Sequence, residues 1–128
     1  MNDKPGGKPA RQRTGQQGET LAAEFLRNQG YAIITINWNC PGGELDIVAQ
    51  SGELWVFVEV RTRHAVSSEH AFASILPAKR DRMMKAIYAY LEAHNLSDTI
   101  PWRVDVIAVT LRQHQQPLIE QVEDAFDW

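Results

Sequence analysis

Charged side chains interrupt two segments whose composition is otherwise that of β-strands. Residues 43–49 and 54–61 consist mainly of aliphatic, β-branched and aromatic residues, with acidic or basic residues at some alternate positions. Between them, residues 50–53 have the composition of a turn. The pattern therefore predicts a β-hairpin with Ser51 and Gly52 at its tip.

Strand alternation sorts the side chains of this hairpin onto two faces. Successive residues of a strand point to opposite sides of the sheet. One predicted face carries the charged residues Glu44, Asp46, Glu59 and Arg61. The other carries the apolar residues Leu45, Ile47, Val56 and Val58. We therefore expect one face to form a core and the other to form a site.

Three carboxylates on one face create a repulsion that Arg61 alone cannot balance. Two carboxylates about 5 Å apart, at an effective dielectric constant of about 20, repel each other by roughly 3 kcal/mol. The group must therefore be partly protonated or hold a hard divalent cation. Oxygen ligands from carboxylates and a backbone carbonyl favour Mg²⁺ or Mn²⁺ over Zn²⁺. The alternative is a solvated sheet face with ordinary ion pairs.

The length and composition predict a single cytoplasmic domain. The chain has 128 residues, of which 44% are hydrophobic, and this is enough for one core. Its one cysteine, Cys40, suits a reducing compartment. The first residues contain no apolar signal segment, and no apolar run has membrane-spanning length. We assign residues 1–13 to a disordered basic tail and residues 14–128 to one domain.

The chain before the hairpin is expected to contain a helix and a strand. Apolar residues at helical spacing predict a helix over residues 16–29, which Gly30 ends in a left-handed conformation. Glu19 lies within about 60° of the apolar stripe, so it can face the core side. The alternative is a first-turn glutamate that complements the helix dipole. Residues 31–36 predict a strand, followed by a loop that leads into the hairpin.

A second helix and a basic patch are expected after the hairpin. The pattern predicts a helix from Pro77 to about His94. Its expected buried stripe consists of Met84, Ile87, Tyr88 and Leu91. Another side carries the cations Lys79, Arg82 and Lys85. Near a helix N-terminus these are either phosphate contacts or a solvated face. Since the net charge is −3, any nucleic acid must meet a local patch of this kind.

The remaining segments are less informative about chemistry. Residues 71–76 read as a short helical turn, residues 102–111 as a strand, and residues 118–128 as a tail. Asp105 is the acid within that strand. It is either a further site residue or, more simply, the ion-pair partner of Arg103.

The order of these motifs resembles the PD-(D/E)xK nuclease superfamily. More closely, the chain resembles the YraN-like family of bacterial proteins, which are relatives of the archaeal Holliday-junction resolvases. The likeness extends from Gly15 to Phe126. Its matching segments are Gly15-Gln-Gln-Gly-Glu19 with Ala22, Gly30-Tyr31, Asn37, Gly43-Glu-Leu-Asp-Ile-Val48, Val56-Phe-Val-Glu-Val-Arg61, Lys79, Arg103-Val-Asp105 and Ala125-Phe126.

This resemblance implies both a fold and a site. The implied fold is α/β (α+β), a restriction-endonuclease-like central mixed β-sheet flanked by helices. In the implied site, Asp46 and Glu59 bind Mg²⁺ or Mn²⁺, and Glu19 completes the pocket. Residue 61 supplies the catalytic cation, and Glu44 is a supporting carboxylate.

Two positions depart from the superfamily pattern. Leu45-Asp46 stands where the superfamily has Pro-Asp, and this keeps the oxygen donor. Arg61 stands where the superfamily has lysine. An arginine stabilises phosphate charge, but with a pKa above about 12 it cannot accept a proton.

Two functions follow as hypotheses. The first is a Mg²⁺-dependent endonuclease that acts on structured or branched DNA, with partner proteins or a homodimer to reach both arms of a junction. The second is a nuclease-like module that binds nucleic acid or protein and has a vestigial acidic site. Cleavage that depends on a divalent ion distinguishes them.

Overall fold

A five-stranded mixed sheet with a helix on each face makes up residues 10–65 and 77–125, which the computed structural model describes. Its elements are α1 (Ala10–Asn28), β1 (Ala32–Cys40), β2 (Gly43–Ser51), β3 (Leu54–His64), α2 (Pro77–Ala93), β4 (Trp102–Leu111) and β5 (Leu118–Val122). The strand order is β1-β2-β3-β4-β5; β3 and β4 are parallel and the other neighbours antiparallel. This confirms the predicted α+β architecture. Neither described helix is long and apolar enough to cross a membrane.

Each face of the sheet has its own core. The core under α1, here the α1 core, consists of Ala22, Ala23, Leu26, Ile47, Ala49, Val56, Val58, Ile107 and Val109. The core under α2, here the α2 core, consists of Leu45, Val48, Phe57, Met83, Ala86, Ile87, Tyr90, Leu91 and Val104. The expectation of one core face and one site face is therefore wrong, because α2 covers the second face. Of the predicted charged residues, Glu44 and Asp46 lie near the start of β2, and Glu59 and Arg61 lie from the middle of β3 onwards.

The β2–β3 hairpin forms with a register that differs from the predicted one. Ser51 pairs with Leu54, and this leaves Gly52 and Glu53 as the turn. Gly52 has a φ of 60°, the left-handed value that a type II′ turn requires at its first central position. The predicted tip at Ser51-Gly52 is wrong by one position. The resulting shift of two in pairing preserves the alternation, and Val48 pairs with Phe57.

Leu45 lies on the face opposite to the predicted one. It packs in the α2 core, whereas Ile47 packs in the α1 core. The change of face lies where Ile36 pairs with Ile47 and Trp38 pairs with Leu45, with no shift of register between the two pairs. The residue between them, Asn37, has a φ of 58°. A residue with positive φ interrupts the two-residue repeat of a strand. The side chains of the paired strands therefore change faces at this point.

The start of α1 and the end of β1 differ from the predicted boundaries. β1 continues to Cys40, because Pro41 and Gly42 alone form the turn to β2. Gly42 has a φ of 92°, as position i+2 of a Pro-Gly type II turn requires. α1 begins at Ala10, so residues 10–13, which were assigned to the tail, are helical.

Later elements show one confirmed strand and one missed strand. β4 has the predicted bounds, and α2 ends within one residue of its predicted end. β5 occupies the start of the segment predicted as a tail and pairs with β4. The helical turn predicted over residues 71–76 lies outside the described residues.

The buried face of α2 is rotated relative to the predicted stripe. Ile87 and Leu91 are buried as expected, but Tyr88 is 50% exposed and Tyr90 is buried in its place. Met83 is also buried. Because residues four apart lie on one side of a helix, Lys79 stands on the same side as Met83, towards the sheet.

Candidate active site

The hairpin strands separate at the predicted site. β2 pairs with β1 between residues 43 and 50 but with β3 only over residues 47–51, whereas β3 pairs with β4 from residue 55 to residue 64. Asp46 is the first residue of β2 beyond its ladder with β3. Its Oδ2 accepts a hydrogen bond of 2.8 Å from the Val60 amide. The carboxylate thus satisfies a backbone donor of β3 where the two strands move apart.

A cavity of about 760 Å³ opens at this separation. Its lining consists of Arg11, Gly15 and Glu19 of α1, Asn39 of β1, Gly43, Glu44 and Asp46 of β2, Glu59 and Val60 of β3, and Lys79, Arg82 and Met83 of α2. The cavity therefore reaches the helices of both sheet faces. Four carboxylates and three cations line it together.

A smaller cavity of about 310 Å³ adjoins the first. The two share lining from Arg11, Gly15, Glu19 and Val60. The smaller one adds polar side chains along the rest of the groove: Thr14, Thr62 and His64. The two cavities together form a groove longer than the carboxylate cluster.

The carboxylates of the cavity influence one another. Burial and, next, the charge of Glu59 raise the pKa of Asp46 to about 8, although the hydrogen bond from the Val60 amide opposes the rise. Burial also raises the pKa of Glu19, which the charges of Glu44 and Glu59 reinforce and a hydrogen bond from Asn37 opposes. The predicted group of acidic side chains is therefore a cluster of mutually repelling carboxylates, and Glu19 belongs to it.

Glu19 reaches this cluster from the third turn of α1. Because the helix begins at Ala10, the alternative of a first-turn glutamate that complements the helix dipole is wrong. Gly18 brings the helix close to β3: a Cβ at Gly18 would stand 1.8 Å from the Thr62 hydroxyl oxygen. The absence of a side chain at Gly18 thus allows the approach that places Glu19 at the cavity.

The three residues of the predicted basic patch, Lys79, Arg82 and Lys85, do not share one environment. The Lys79 ammonium forms an ion pair with Oε2 of Glu59. The Glu59 residue is only 8% exposed. Arg82 also lines the cavity, whereas Lys85 is exposed and is not among its described lining residues. Lys79 is therefore part of the site itself as well as of the helix surface.

The position of α2 explains how Lys79 reaches Glu59. A Cβ at Gly43 would stand 2.9 Å from the Arg82 carbonyl oxygen and 3.2 Å from the Ala86 Cβ. The start of β2 thus passes directly against the backbone of α2. This close approach holds the first turns of the helix over the cavity.

Arg61 lies on β3, two residues after Glu59, and is half-buried. Alternation places it on the same side of the strand as Glu59. It is not among the described residues that line the cavity. Its role as the catalytic cation stays a prediction.

Asp46 and Glu59 are the carboxylates predicted to bind a divalent ion. Among the described residues, no three His, Cys, Asp or Glu side chains are arranged to hold a metal ion. Mg²⁺ does not require such a cage, because it is commonly bound by one or two carboxylates together with water and substrate phosphate. The hard oxygen donors and the raised pKa of Asp46 fit such an ion.

Sequence reasoning missed two contributors, Asn37 and Arg11. Asn37 interrupts a β-branched run and is of a type that tolerates positive φ, and this was the available signal for a break. Arg11 precedes Gly15 and Glu19 at a spacing of four, a pattern that becomes visible only when the helix is extended into the segment assigned to the tail.

Asp105 is a structural acid on the strand β4. It is fully buried, and its oxygens accept hydrogen bonds of 2.7 and 2.9 Å from Nε and Nη2 of Arg103. Gln121 Nε2 donates at 2.8 Å and the Asp124 amide at 3.0 Å. These contacts confirm the simpler account of Asp105 and tie β5 and the residues after it to β4.

Comparisons with known proteins identify the family. The model of the uncharacterised protein family UPF0102 matches residues 18–109, which include the cluster from Glu19 to Lys79. A UPF0102 protein of Chloroflexus aurantiacus is 49% identical over 102 residues, covering 80% of this chain and 82% of the relative. One of Roseiflexus castenholzii is 43% identical over 118 residues, covering 91% and 95%. The chain belongs to the UPF0102 family.

Proposed function

We propose that the protein is a Mg²⁺- or Mn²⁺-dependent endonuclease that hydrolyses phosphodiester bonds in structured or branched DNA. The observation that carries the proposal is the carboxylate cluster at Asp46 in a cavity whose other charges are Arg11, Lys79 and Arg82. Carboxylates suit a hard cation, and the surrounding cations suit phosphate. The resemblance to the PD-(D/E)xK superfamily supports the same reaction.

The residues have distinct roles in this proposal. Asp46 and Glu59 hold the divalent ion, and the Val60 amide fixes the orientation of Asp46. When bound, such an ion supplies Lewis-acid stabilisation of charge on the phosphate. Glu19 contributes to the binding of the ion, either directly or through a water molecule. Arg61 stabilises the charge of the phosphate without exchanging a proton.

The groove supports a substrate longer than one nucleotide. Arg11 lines both adjoining cavities, so it can contact a phosphate next to the one at the cluster. Hydroxyl groups of Thr14 and Thr62 are donors suited to phosphate oxygens. These local groups allow nucleic-acid binding despite a net charge of −3.

The proposal includes a cytoplasmic location and a homodimer. A 128-residue domain is too small to cover both arms of a junction, so two copies supply the reach.

The second candidate is a nuclease-like module that binds nucleic acid or protein without cleaving. Two observations favour it: Lys79 already neutralises Glu59, and no described set of three side chains is arranged for a metal ion. Such a module would bind nucleic acid equally well with and without divalent ions.

Incubation with labelled flaps, four-way junctions, single strands and RNA, in Mg²⁺, Mn²⁺ or a chelator, tests the proposal. We expect branched DNA to be cut only with a divalent ion, and Asp46→Asn or Glu59→Gln to abolish cutting. Asp98→Asn, at an exposed position outside the cavity lining, is the control that removes the same charge. Cutting by both cluster variants at the wild-type rate would refute the proposed site.

A further inference from the structure

We propose that Lys79 is a cation with two positions: it binds Glu59 when the site holds no divalent ion and moves to a substrate phosphate when the ion takes its place. The inference rests on the proposed function. It assigns to α2 a residue that acts both as a competitor of the metal and as a ligand of the substrate.

The ion pair shows which partner can move. The side chain of Glu59 is 10% exposed, whereas that of Lys79 is 46% exposed. Glu59 belongs to a strand that is paired with β4 along its length, while Lys79 carries its charge at the end of four flexible methylene groups. The carboxylate is therefore the fixed partner and the ammonium the mobile one.

The helix backbone beneath Lys79 is fixed. Met83, one turn further along α2, is buried in the α2 core, and the Arg82 carbonyl lies against Gly43 at the start of β2. These contacts restrain the helix on the sheet. A change of position at Lys79 is therefore a change of side-chain rotamer, with no movement of α2 required.

A divalent ion and the ammonium compete for the same oxygens. Lys79 contacts Oε2 of Glu59, one of the two atoms with which Glu59 binds a cation. Two positive centres on one carboxylate repel each other in a half-buried cavity. Ion binding at Glu59 therefore displaces the ammonium into the cavity, where Arg82 already supplies a neighbouring positive charge for an anion.

The competition predicts an unusually large effect in a metal-binding experiment. Removal of a positive charge near a site normally has a small and long-range effect, whereas removal of the competing ammonium frees a carboxylate oxygen. We expect Lys79→Met to bind Mn²⁺ about tenfold more tightly than the wild type, a change of about 1.4 kcal/mol. Lys79→Arg should retain weak binding, because it keeps the charge.

Calorimetric titration of Mn²⁺ into the metal-free protein measures this directly. Arg27→Met is the charge-matched control, because Arg27 is exposed in the last turn of α1, away from the cavity. It should change the Mn²⁺ affinity by less than twofold. Circular dichroism verifies folding, and Lys79→Gln replaces Lys79→Met if the methionine variant is unfolded.

The second half of the inference is tested with inorganic phosphate in excess Mg²⁺, followed by ³¹P resonance broadening. The wild type should bind phosphate with Mg²⁺ and much less without it, and Lys79→Met should lose at least fivefold in affinity. Equal phosphate affinity of the two proteins in Mg²⁺ would overturn the assignment.

The outcomes separate this inference from the proposed function. If the wild type binds Mn²⁺ and Lys79→Met binds it equally or more weakly, the two-position role is wrong and the nuclease proposal stands. If the wild type and all Lys79 variants fail to bind Mn²⁺, both are wrong.

Discussion

The Val60 amide donates a hydrogen bond of 2.8 Å to the Asp46 carboxylate just beyond the last paired residues of the β2–β3 ladder. The Asp46 side chain accepts this hydrogen bond in place of a backbone carbonyl of a neighbouring strand. The same contact thus ends the pairing of the hairpin and anchors the carboxylate at the centre of the cluster. Its energetic effect depends on pH, because the acceptor is also the group with the most strongly raised carboxyl pKa.

Asp46→Asn should stabilise the metal-free fold in a pH-dependent way. Burial and Glu59 raise the pKa of Asp46 from 3.8 to about 8. The folded state therefore binds the proton more tightly than the unfolded state, and wild-type stability falls as the pH rises from about 4 to about 8. The asparagine keeps an acceptor for Val60 and carries no charge. We expect it to add about 1–3 kcal/mol at pH 8.5.

Urea unfolding at pH 4.5 and pH 8.5, with a chelator present, tests this prediction. The stability difference between Asp46→Asn and the wild type should be larger at the higher pH. A stability difference that is equal at both pH values would show that the surroundings do not raise the pKa of the Asp46 carboxyl.

Asp105→Asn should have the opposite effect. Its oxygens accept two hydrogen bonds from the Arg103 guanidinium, so the substitution leaves this half-buried cation with only the exposed Glu123 as a charge partner. Breaking such a pair costs about 3–5 kcal/mol. Thermal unfolding of this variant beside Asp98→Asn, an exposed control, measures the loss; equal melting temperatures would contradict the structural role of Asp105.

Gly18→Ala should destabilise the protein by about 1–3 kcal/mol, because its Cβ would stand 1.8 Å from the Thr62 hydroxyl oxygen. Gly15→Ala is the matched control on the same helix, since nothing lies within 4 Å of its Cβ position. There the gain in helix propensity should stabilise the fold by up to about 1 kcal/mol. Chemical denaturation compares the two, and effects of the same sign would argue against the close approach of α1 and β3.

Arg61→Ala should lower the turnover of branched DNA by about 10²-fold or more, the scale expected when one fixed charge-stabilising donor is lost. Arg61→Lys should keep or raise the activity, because an ammonium still neutralises phosphate and loses only the bidentate geometry. Single-turnover cleavage measures both. An active wild type whose rate is unaffected by Arg61→Ala would remove Arg61 from the reaction.

Much of the site could be predicted from the sequence, because alternation is a local property. Charged residues at two-residue spacing predicted that Asp46 and Glu59 lie near each other, and both line the main cavity. The helix stripe likewise brought Glu19 towards the core side. These relations depend only on the repeat of each element.

The rest depends on backbone conformation and packing that periodicity does not encode. Leu45 changed faces beside the left-handed Asn37, and the alternation of residues 43–49 contains no sign of this. The ion pair of Lys79 depends on which face of α2 packs on the sheet. That face buries Tyr90 and leaves Tyr88 exposed. Both α2 residues are tyrosines, so composition alone could not distinguish them.

The lining of the main cavity comes from α1, β1, β2, β3 and α2, between Arg11 and Met83. No continuous peptide excised from the chain can therefore reproduce the ligand affinity of the intact protein. A ligand that binds only the intact cavity must instead stabilise the whole fold. At a free concentration of a hundred times its dissociation constant, it raises the free energy of unfolding by about 2.7 kcal/mol. A thermal-shift screen of ions and nucleotides is thus a direct search for what this cavity binds, and it requires no assumption about the reaction.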